Sequence, residues 1–340
     1  MKIGILTAGG DCPGLNAAIR GIGKAAITEY GMEVIGFRSG FTGLINNEWI
    51  ELDEPILSGI LTAGGTILGT SREKPFKSEK IKELVKSKPE IIKENYHREG
   101  LDCIVCIGGN GTQKTAHKLS QLGLNVVGMP KTIDNDVWGT DVSFGFDSAL
   151  NIATFAIDKI HTTANSHGRI MVVEVMGHKA GWLSLYSGIA GGGDIILIPE
   201  IPYDMDIVCA CLERRAREGR PYSIIVVAEG IEVPKEKGSP GHYIARKVKK
   251  MTDMETRETI LGYVQRGGSP SPMDRIIATR LGAFAARTIS IGNFGTMVAL
   301  RNDEVCTVPL SEVAGKLKTV PRDNSLITKA RFIGTCFGDE

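Results

Sequence analysis

Long apolar runs and a net charge of either sign are what this sequence most clearly lacks. No segment approaches the roughly 20 consecutive apolar residues that a membrane-spanning helix needs. Met1-Lys2-Ile3 leads straight into an apolar segment, with no signal peptide before it. A formal net charge of +1 over 340 residues gives no bulk attraction to nucleic acid or to a membrane surface. We therefore expect a cytoplasmic protein that binds neither.

A disulfide framework and a zinc-type motif are also missing. No histidine pair has the spacing of metal ligands, and the seven cysteines are scattered. Cys103 and Cys106 resemble a metal-binding pair, but both fall in one apolar segment. Residues three apart in a strand point to opposite faces, so we interpret this pair as core residues. No G-x-G-x-x-G follows the first apolar segment, which argues against a dinucleotide-dependent dehydrogenase.

What the sequence does have is apolar content, 42% of the chain, and many glycines. A chain of this length exceeds the usual size of one core, so we expect two domains. Apolar β-branched segments alternate with helical segments throughout, and glycines follow the predicted strands. This alternation is typical of a largely parallel α/β sandwich. A charged stretch over 79–99 is predicted to be a surface helix.

The most informative stretch is a predicted strand, glycine turn and helix. Leu101 to Ile107 has the composition of a strand buried on both faces. Gly108 to Thr112, GGNGT, is expected to form a tight turn in which glycine permits positive φ and leaves room for a ligand. A helix is predicted from Gln113 to Leu122, and its first free N–H groups would point into the turn, where anions bind.

Two carboxylates follow the next predicted strand, over 125–129. They are Asp134 and Asp136 of the segment PKTIDND. Ligands of open parallel sheets collect at the carboxyl ends of the strands, so we expect the glycine turn and this carboxylate pair to face one crevice. Such an arrangement is that of a phosphoryl-transfer site.

With these pieces in place, the chain resembles the phosphofructokinases over nearly its full length. The strings GGDCPGLNAAIRG, GGNGT, PKTIDND, EVMGHKAG, AEG and LGYVQRGGSP occur in that family's order and at about its spacing. These enzymes transfer the γ-phosphoryl group of ATP, with Mg²⁺, to O1 of fructose 6-phosphate and so form fructose 1,6-bisphosphate in glycolysis. The resemblance implies two doubly wound, largely parallel, three-layer α/β domains. It also implies a homo-oligomer, a tetramer or dimer, with active sites shared between subunits.

The resemblance further implies which domain binds which ligand and which residues do so. The nucleotide-binding domain would cover 1–145 and about 265–315, and the sugar-phosphate-binding domain 146–264 and the C-terminal segment. Asp134 matches the catalytic base, and Arg169 and Arg257 match arginines that reach the sugar phosphate of a neighbouring subunit. The nucleotide positions are Gly10, Arg72, Glu73, Gly109, Asn110, Gly111 and Thr112. The sugar-phosphate positions are Thr132, Ile133, Asp134, Arg169, Met176, Gly177, His178, Glu229, Arg257, Tyr263 and Arg266. The magnesium positions are Asn110 and Asp136.

Four positions depart from the common pattern of the family. Asn110 replaces an Asp associated with the metal, and His178 replaces an Arg, with Lys179 beside it. Tyr263 replaces a His at the 6-phosphate, and Lys131 replaces a Gly. The effector site of bacterial members is only partly matched: Arg20 remains, whereas Lys24 and His161 stand where arginines are usual.

Two alternatives stay open at this point. Pyrophosphate is the donor in members that combine a Lys at position 131 with an Asp at position 111. This chain has Lys131 but Gly111, so the charge and bulk that would exclude the α-phosphate of ATP are absent, and we predict ATP as the donor. Asn110 and His178 suggest the other alternative, a catalytically silent sugar-phosphate sensor, but Asp134 and Asp136 are both present.

Overall fold

Two sheets, each with its own apolar cores, organise the chain. The computed structural model describes residues 1–77, 86–234 and 238–340. Unit 1 comprises Met1–Thr132, Val137–Asp147 and Arg266–Leu317, and unit 2 comprises Ile133–Asp136, Ser148–Gln265 and Lys318–Glu340. The range 1–145 predicted for the nucleotide domain therefore includes four residues that the structure groups with unit 2. The assignment of a ligand to each domain stays a prediction.

The strands and helices below are numbered in chain order over the described residues. The strands are β1 (Lys2–Ala8), β2 (Glu33–Phe37), β3 (Trp49–Glu51), β4 (Cys103–Gly108), β5 (Val126–Pro130), β6 (Ile170–Val175), β7 (Ile195–Leu197), β8 (Ser223–Ala228), β9 (Thr256–Ile260), β10 (Thr296–Arg301) and β11 (Glu304–Pro309). The helices are α1 (Leu15–Tyr30), α2 (Phe41–Asn46), α3 (Glu54–Leu57), α4 (Lys88–Arg98), α5 (Asn110–Gln121), α6 (Phe146–His167), α7 (Trp182–Ala190), α8 (Met205–Arg217), α9 (Pro240–Thr252), α10 (Pro272–Ser290), α11 (Leu310–Val313) and α12 (Ser325–Phe332). Short 3₁₀ turns lie at Ile60–Thr62 and Gly262–Arg266.

The sheet of unit 1 has seven strands in the order β11-β10-β5-β4-β1-β2-β3. Its central strands are parallel, whereas β11 and β3 at the two edges run antiparallel to their neighbours. Alternate residues of the strands, Leu6 and Cys106 among them, form one core with α2, α4, α5 and α11. Helices α1 and α10 pack against each other and contact β2, β5 and β10 without joining that core, so they cover the other face. Unit 1 is thus a three-layer, doubly wound domain.

The sheet of unit 2 has the order β7-β8-β6-β9, and every pair in it is parallel. One face forms a core with α8 and α9, and the other face packs against α6. A further core joins α7 and α12 to Ile196 and Ile198. The α/β fold with two largely parallel, three-layer domains is therefore confirmed.

Several local expectations need correction or extension. Helix α5 begins at Asn110 and not at Gln113, so three residues assigned to the glycine turn form the first helical turn. Strand β11, with α11 and α12 after it, organises a C-terminal region for which the sequence predicts no element. Of the helix expected over 79–99, residues 79–85 lie outside the described part of the chain, and α4 covers Lys88–Arg98.

The interpretation of Cys103 and Cys106 as core residues is confirmed. Both are fully buried, and only Cys106 belongs to the core on its face of β4. Among the described residues, no helix is both long and apolar enough to cross a membrane.

Candidate active site at the carboxyl ends of the strands

The loop after β1 is held in place by backbone hydrogen bonds to the segment around Ser71. Gly9 has φ +86°, a conformation that favours glycine. Its N–H donates to the Ser71 carbonyl at 2.9 Å, and Thr70 Oγ1 donates to the Gly9 carbonyl at 2.7 Å. These bonds place Arg72, whose side chain is exposed, directly after the segment that pairs with the loop. Two predicted nucleotide contacts, Gly10 and Arg72, are thereby brought to one place in unit 1.

A guanidinium lies close against the backbone of Gly10. A Cβ at this position would overlap Arg266 Nη1 and come within 2.9 Å of Arg266 Cζ. Arg266, which the resemblance assigns to the sugar phosphate, therefore sits on the loop assigned to the nucleotide, within unit 1. A cation at this point of the loop suits a phosphoryl group that passes from one substrate to the other.

The turn between β4 and α5 uses its glycines for space rather than for positive φ. Gly109 caps α5 with φ −80°, so the expectation of a positive φ in this turn is wrong. At Gly108 a Cβ would overlap Thr112, whose buried hydroxyl donates to the Ala8 carbonyl at 3.4 Å. At Gly111, in contrast, a Cβ would meet nothing within 4 Å. The first turn of α5, with Asn110 half-buried, thus presents backbone N–H groups beside open space.

Lys131 ties the ends of three strands together. Its backbone N–H donates to the Gly108 carbonyl at 3.1 Å. Its buried ammonium donates to the Ala8 carbonyl at 3.3 Å and also to the Gly10 carbonyl. Because these bonds join the ends of β1, β4 and β5, Lys131 has a structural role in addition to any effect on the donor.

Two more unit 1 groups have defined surroundings. Glu73 Oε1 accepts from Lys88 Nζ at 3.0 Å, so this predicted nucleotide contact is part of an ion pair with α4. Thr132 is buried, and its carbonyl accepts from Ser143 Oγ at 3.1 Å.

Burial raises the pKa of the Cys12 thiol to about 12, so this thiol beside the first glycine loop is neutral near pH 7 and is no nucleophile.

In the segment after β5, one aspartate is less buried than its neighbours. Ile133, Asn135 and Asp136 are 3–5% exposed, whereas Asp134 between them is half-buried. Asn135 has φ +51°, in the left-handed region, which turns the chain between the two aspartates. Lys318 donates from Nζ to Asn135 Oδ1 at 2.9 Å and from its N–H to the Asp136 carbonyl at 2.9 Å. Sequence reasoning missed Lys318, because no local signal marks a residue so far along the chain.

In unit 2, the turn after β6 is anchored by a carboxylate. Glu229 follows β8, and its Oε1 accepts from the N–H groups of Gly177 at 3.3 Å and His178 at 2.8 Å. Gly177 has φ +146° and His178 has φ +53°. Met176 donates its N–H to Oε1 of the fully buried Gln265 at 3.3 Å. The structure thus brings together three predicted sugar-phosphate residues and Glu229, while Gln265 is a supporting residue that the motif analysis did not single out.

Arg169 and Arg257 lie at the amino ends of the strands of the unit 2 sheet, opposite the carboxyl ends that carry the turn around Gly177. They precede β6 and begin β9, where Glu255 pairs with both: Arg169 Nη2 is 3.0 Å and Arg257 Nη2 is 2.7 Å from Glu255 Oε1. The carboxyl end of β6, with Met176, is seven residues from Arg169, or about 23 Å of extended strand. Within one chain the structure therefore does not bring these arginines to the turn around Gly177.

The remaining predicted positions are at the surface or engaged elsewhere. Tyr263 is 73% exposed in the 3₁₀ turn that ends at Arg266. His161, at the partly matched effector site, has both ring nitrogens in hydrogen bonds, Nδ1 with Tyr222 Oη at 3.1 Å and Nε2 with the Gly191 carbonyl at 2.6 Å. Its ring is therefore part of the unit 2 framework.

No cluster of three or more His, Cys, Asp or Glu residues that could hold a metal ion occurs in the described ranges. The oxygen donors predicted for magnesium are an amide, Asn110, and a carboxylate, Asp136. Mg²⁺ usually keeps several waters and binds through one or two carboxylates together with substrate phosphates. One amide oxygen and one carboxylate therefore suit, by their donor chemistry, an ion that is bound mainly by nucleotide phosphates.

Comparisons with known proteins show which family and fold the chain shares. The phosphofructokinase family model matches residues 2–289. ATP-dependent 6-phosphofructokinase 3 of Bacteroides thetaiotaomicron is 57% identical over 338 residues, covering 99% of this chain and 100% of that protein. The T-state structure of Pichia pastoris phosphofructokinase matches with a TM-score of 0.83 at 34% identity, over 92% of this chain, and this chain spans 35% of that one. A pyrophosphate-dependent phosphofructokinase from Nitrosospira multiformis has a TM-score of 0.85 at 23% identity, over 95% of this chain and 86% of that one, which shows a shared fold alone.

Proposed function

The chain belongs to the phosphofructokinase family, and from that premise we propose that it transfers the γ-phosphoryl group of ATP to O1 of fructose 6-phosphate. The product is fructose 1,6-bisphosphate, so the reaction is the committed phosphorylation of glycolysis. The observation that supports this proposal best is Asp134, the half-buried carboxylate among the buried residues that follow β5.

Asp134 is the proposed general base. The segment that contains it follows Lys131, which is bonded to the ends of β1 and β4. A carboxylate beside the acceptor hydroxyl takes the proton as the phosphoryl group transfers. Asp136, which is buried, is proposed to act near the metal and the transferred group.

Unit 1 is proposed to bind the nucleotide mainly through its main chain. The N–H groups in the first turn of α5 and the Gly9–Gly10 loop suit the phosphates, and Arg72 and Arg266 supply positive charge. The open space at Gly111 leaves room for the α-phosphate of ATP. Lys131, whose ammonium is bonded to carbonyl groups, gives pyrophosphate no advantage that ATP would lack.

Mg²⁺ is the proposed cofactor, and Asn110 and Asp136 are the residues that would hold it. Bound with the nucleotide, the ion would neutralise charge on the transferring phosphoryl group. Asn110 contributes an amide oxygen without charge, so this side of the site would bind the ion more weakly than an aspartate.

Unit 2 is proposed to bind the sugar phosphate through anchored side chains. Glu229 holds the turn at Met176–His178 and keeps acceptor capacity for a sugar hydroxyl, because an ionised carboxylate accepts at both oxygens. Ile133, Thr132 and Tyr263 are proposed to line the same substrate.

The active enzyme is proposed to be a homo-oligomer with shared sites. Arg169 and Arg257 lie at the amino ends of β6 and β9, whereas Met176 follows the carboxyl end of β6. This position supports the proposal, because the guanidinium groups would bind the dianionic phosphate in the site of another subunit. A cytoplasmic location remains a prediction from the sequence.

A coupled assay that detects fructose 1,6-bisphosphate, run with either ATP or pyrophosphate as donor, tests the proposal. We expect activity with ATP, and we expect Asp134→Asn to lower kcat by roughly 10²–10⁴-fold, the usual contribution of a positioned acid–base group. Fructose 6-phosphate binding should change little in that variant. A wild-type protein that uses pyrophosphate and ignores ATP would overturn the donor assignment, and near-normal turnover of Asp134→Asn would overturn the role of the base.

Subunit mixing tests the shared sites. Arg169→Ala and Asp134→Asn subunits are each expected to be inactive alone, and hybrids should recover part of the activity because some sites then combine an intact base with an intact arginine. No recovery, despite subunit exchange demonstrated by native mass spectrometry, would contradict sharing.

A further inference from the structure

The C-terminal segment of unit 2 contacts the two residues that follow Asp134. Lys318 donates its backbone N–H to the Asp136 carbonyl at 2.9 Å. The same residue donates from Nζ to Asn135 Oδ1 at 2.9 Å. Lys318 therefore bonds to the Asn135 side chain and to the Asp136 main chain, although it lies 183 residues after Asn135 in the sequence.

Asn135 is the residue whose conformation sets the direction of this segment. Its φ of +51° lies in the left-handed region, which Asn adopts more readily than most residues but at some cost. Its side chain is 5% exposed, so the amide needs partners within the protein. A hydrogen bond from an ammonium group is stronger than one between neutral groups, and it favours the rotamer and the backbone turn that present the amide oxygen to Lys318.

Lys318 is itself held on both sides. Its ammonium lies 5.5 Å from the centre of the Trp182 ring, and the Trp182 indole N–H donates to the Lys318 carbonyl at 2.9 Å. Trp182 begins α7, directly after the glycine turn that follows β6. A cation over an indole ring and a charge-assisted hydrogen bond together restrict a side chain that would otherwise be flexible.

We propose that Lys318 is a positioning residue for the catalytic segment Ile133–Asp136. By fixing Asn135 and the Asp136 carbonyl, it holds the turn in which Asp134 is presented to the acceptor hydroxyl. This inference rests on the proposed function, because the readout is phosphoryl transfer. Lys318 bonds to Asn135 and Asp136, the two residues after the base, and acts through them.

The test compares Lys318→Met with Lys316→Met in the full-length protein. Lys316 is a matched control, because it is two residues away and its ammonium lies over the Trp138 ring at 5.5 Å, within unit 1. We expect Lys318→Met to lower kcat by about 10- to 100-fold, since small displacements of a reacting group cost up to this much. KM for both substrates should stay within about twofold, because binding groups are untouched. Lys316→Met should match wild type, and Lys318→Arg, which keeps a cationic donor, should recover part of kcat.

A double-mutant cycle separates positioning from a general loss of stability. Asn135→Gly keeps the left-handed conformation accessible and removes the amide, so it should lower kcat less than additively when combined with Lys318→Met. Hydrogen–deuterium exchange supplies a readout without substrate. The amides of 133–137 should exchange faster in Lys318→Met, with those of β6 unchanged. If Lys318→Met fails to fold, the kcat and amide exchange of Asn135→Gly carry the test.

The outcomes distinguish this inference from the proposed function. A wild-type protein without activity on ATP or pyrophosphate would remove the proposed function, whereas faster exchange at 133–137 in Lys318→Met would still support the positioning contact. An active wild type with normal kcat and normal exchange in Lys318→Met would overturn the inference and leave the proposed function standing. Equal losses of kcat in Lys318→Met and Lys316→Met would also overturn it.

Discussion

In unit 1, strands β1 and β4 are followed by glycines, whereas in unit 2 strand β8 is followed by Glu229, a carboxylate that accepts hydrogen bonds from the main chain. After β1 and β4, the groups proposed to meet a ligand are main-chain N–H groups, together with the guanidinium groups of Arg72 and Arg266, while Lys131 and Glu73 are bonded within the unit. After β6 and β8, Glu229 anchors the turn that presents His178. The difference teaches how each unit suits its proposed ligand. N–H groups at a helix N-terminus bind any suitably placed phosphate, while a carboxylate accepts hydrogen bonds from hydroxyl groups in defined directions.

The largest expected effect comes from adding a negative charge to the glycine turn between β4 and α5 of unit 1. Gly111→Asp should suppress ATP use by about 10²–10³-fold, since two like charges about 4 Å apart at a partly exposed site cost about 4 kcal/mol. Pyrophosphate has no α-phosphate beyond the transferring pair and should be affected far less. The variant should fold normally, because a Cβ at Gly111 meets nothing within 4 Å and an acidic residue suits the first turn of a helix.

Gly111→Asn is the matched control, because it adds nearly the same volume without charge. Steady-state rates with each donor give the result. If both variants lose ATP use equally, bulk and not charge decides the donor. If neither loses it, the α-phosphate does not pass Gly111.

The turn of unit 2 that Glu229 anchors is tested by changing Glu229 itself. Glu229→Ala removes the acceptor of two backbone N–H groups, and we expect kcat/KM for fructose 6-phosphate to fall by roughly 10- to 100-fold, because hydrogen bonds to charged groups are each worth about 1.5–3 kcal/mol. Glu229→Gln keeps a neutral acceptor and should lose less. KM for ATP should not change in either variant. A rise in KM for ATP equal to that for the sugar phosphate would contradict the division of binding between glycine turns and anchored side chains.

A smaller effect is expected from restoring charge at Asn110. Asn110→Asp should lower the Mg²⁺ concentration for half-maximal rate several-fold, because Mg²⁺ binds through one or two carboxylates together with substrate phosphates. Asn110→Ala, which removes the oxygen without adding charge, serves as the control and should raise that concentration. Initial rates titrated with Mg²⁺ at fixed ATP measure both. An unchanged requirement in Asn110→Asp would place the metal elsewhere.

The smallest effect concerns Glu255, the surface carboxylate between Arg169 and Arg257. Its hydrogen bond from Arg169 and the charges of the neighbouring arginines lower the pKa of Glu255 below its usual value. A carboxyl group with a lowered folded-state pKa stabilises the fold above its unfolded pKa, near 4.3, and this contribution is lost as pH falls through the folded-state pKa. Between about pH 6 and pH 3, Tm should therefore fall slightly more in wild type than in Glu255→Gln. Identical pH profiles of Tm would show that the ion pairs are too screened to contribute.

Local chemistry in the sequence was sufficient for much of the fold. Ile170–Val175 and Ser223–Ala228 are mostly apolar and β-branched, with one polar residue each, so their composition predicts strands where β6 and β8 lie. The predicted start of α5 was wrong by three residues, because Asn110-Gly111-Thr112 has the composition of a turn, whereas in the structure the N–H groups of Thr112 and Gln113 donate to the Gly109 carbonyl in a first helical turn. The antiparallel edge strand β11 gave no clear local signal, since it is only partly buried and mixes polar with apolar residues.

For the candidate site, too, some features could be predicted from the sequence and others only from the tertiary structure. Its motifs carry the residue types that phosphoryl transfer requires, and so the sequence alone determined the family, the glycine turns and the carboxylate pair. Tertiary structure decided how these residues are held: Arg266 against Gly10, Lys131 across three strand ends, and Lys318 on Asn135. Contacts of this kind join residues more than a hundred positions apart. Periodicity and turn chemistry act over a few residues, so only the packed fold can decide which distant donor meets which acceptor.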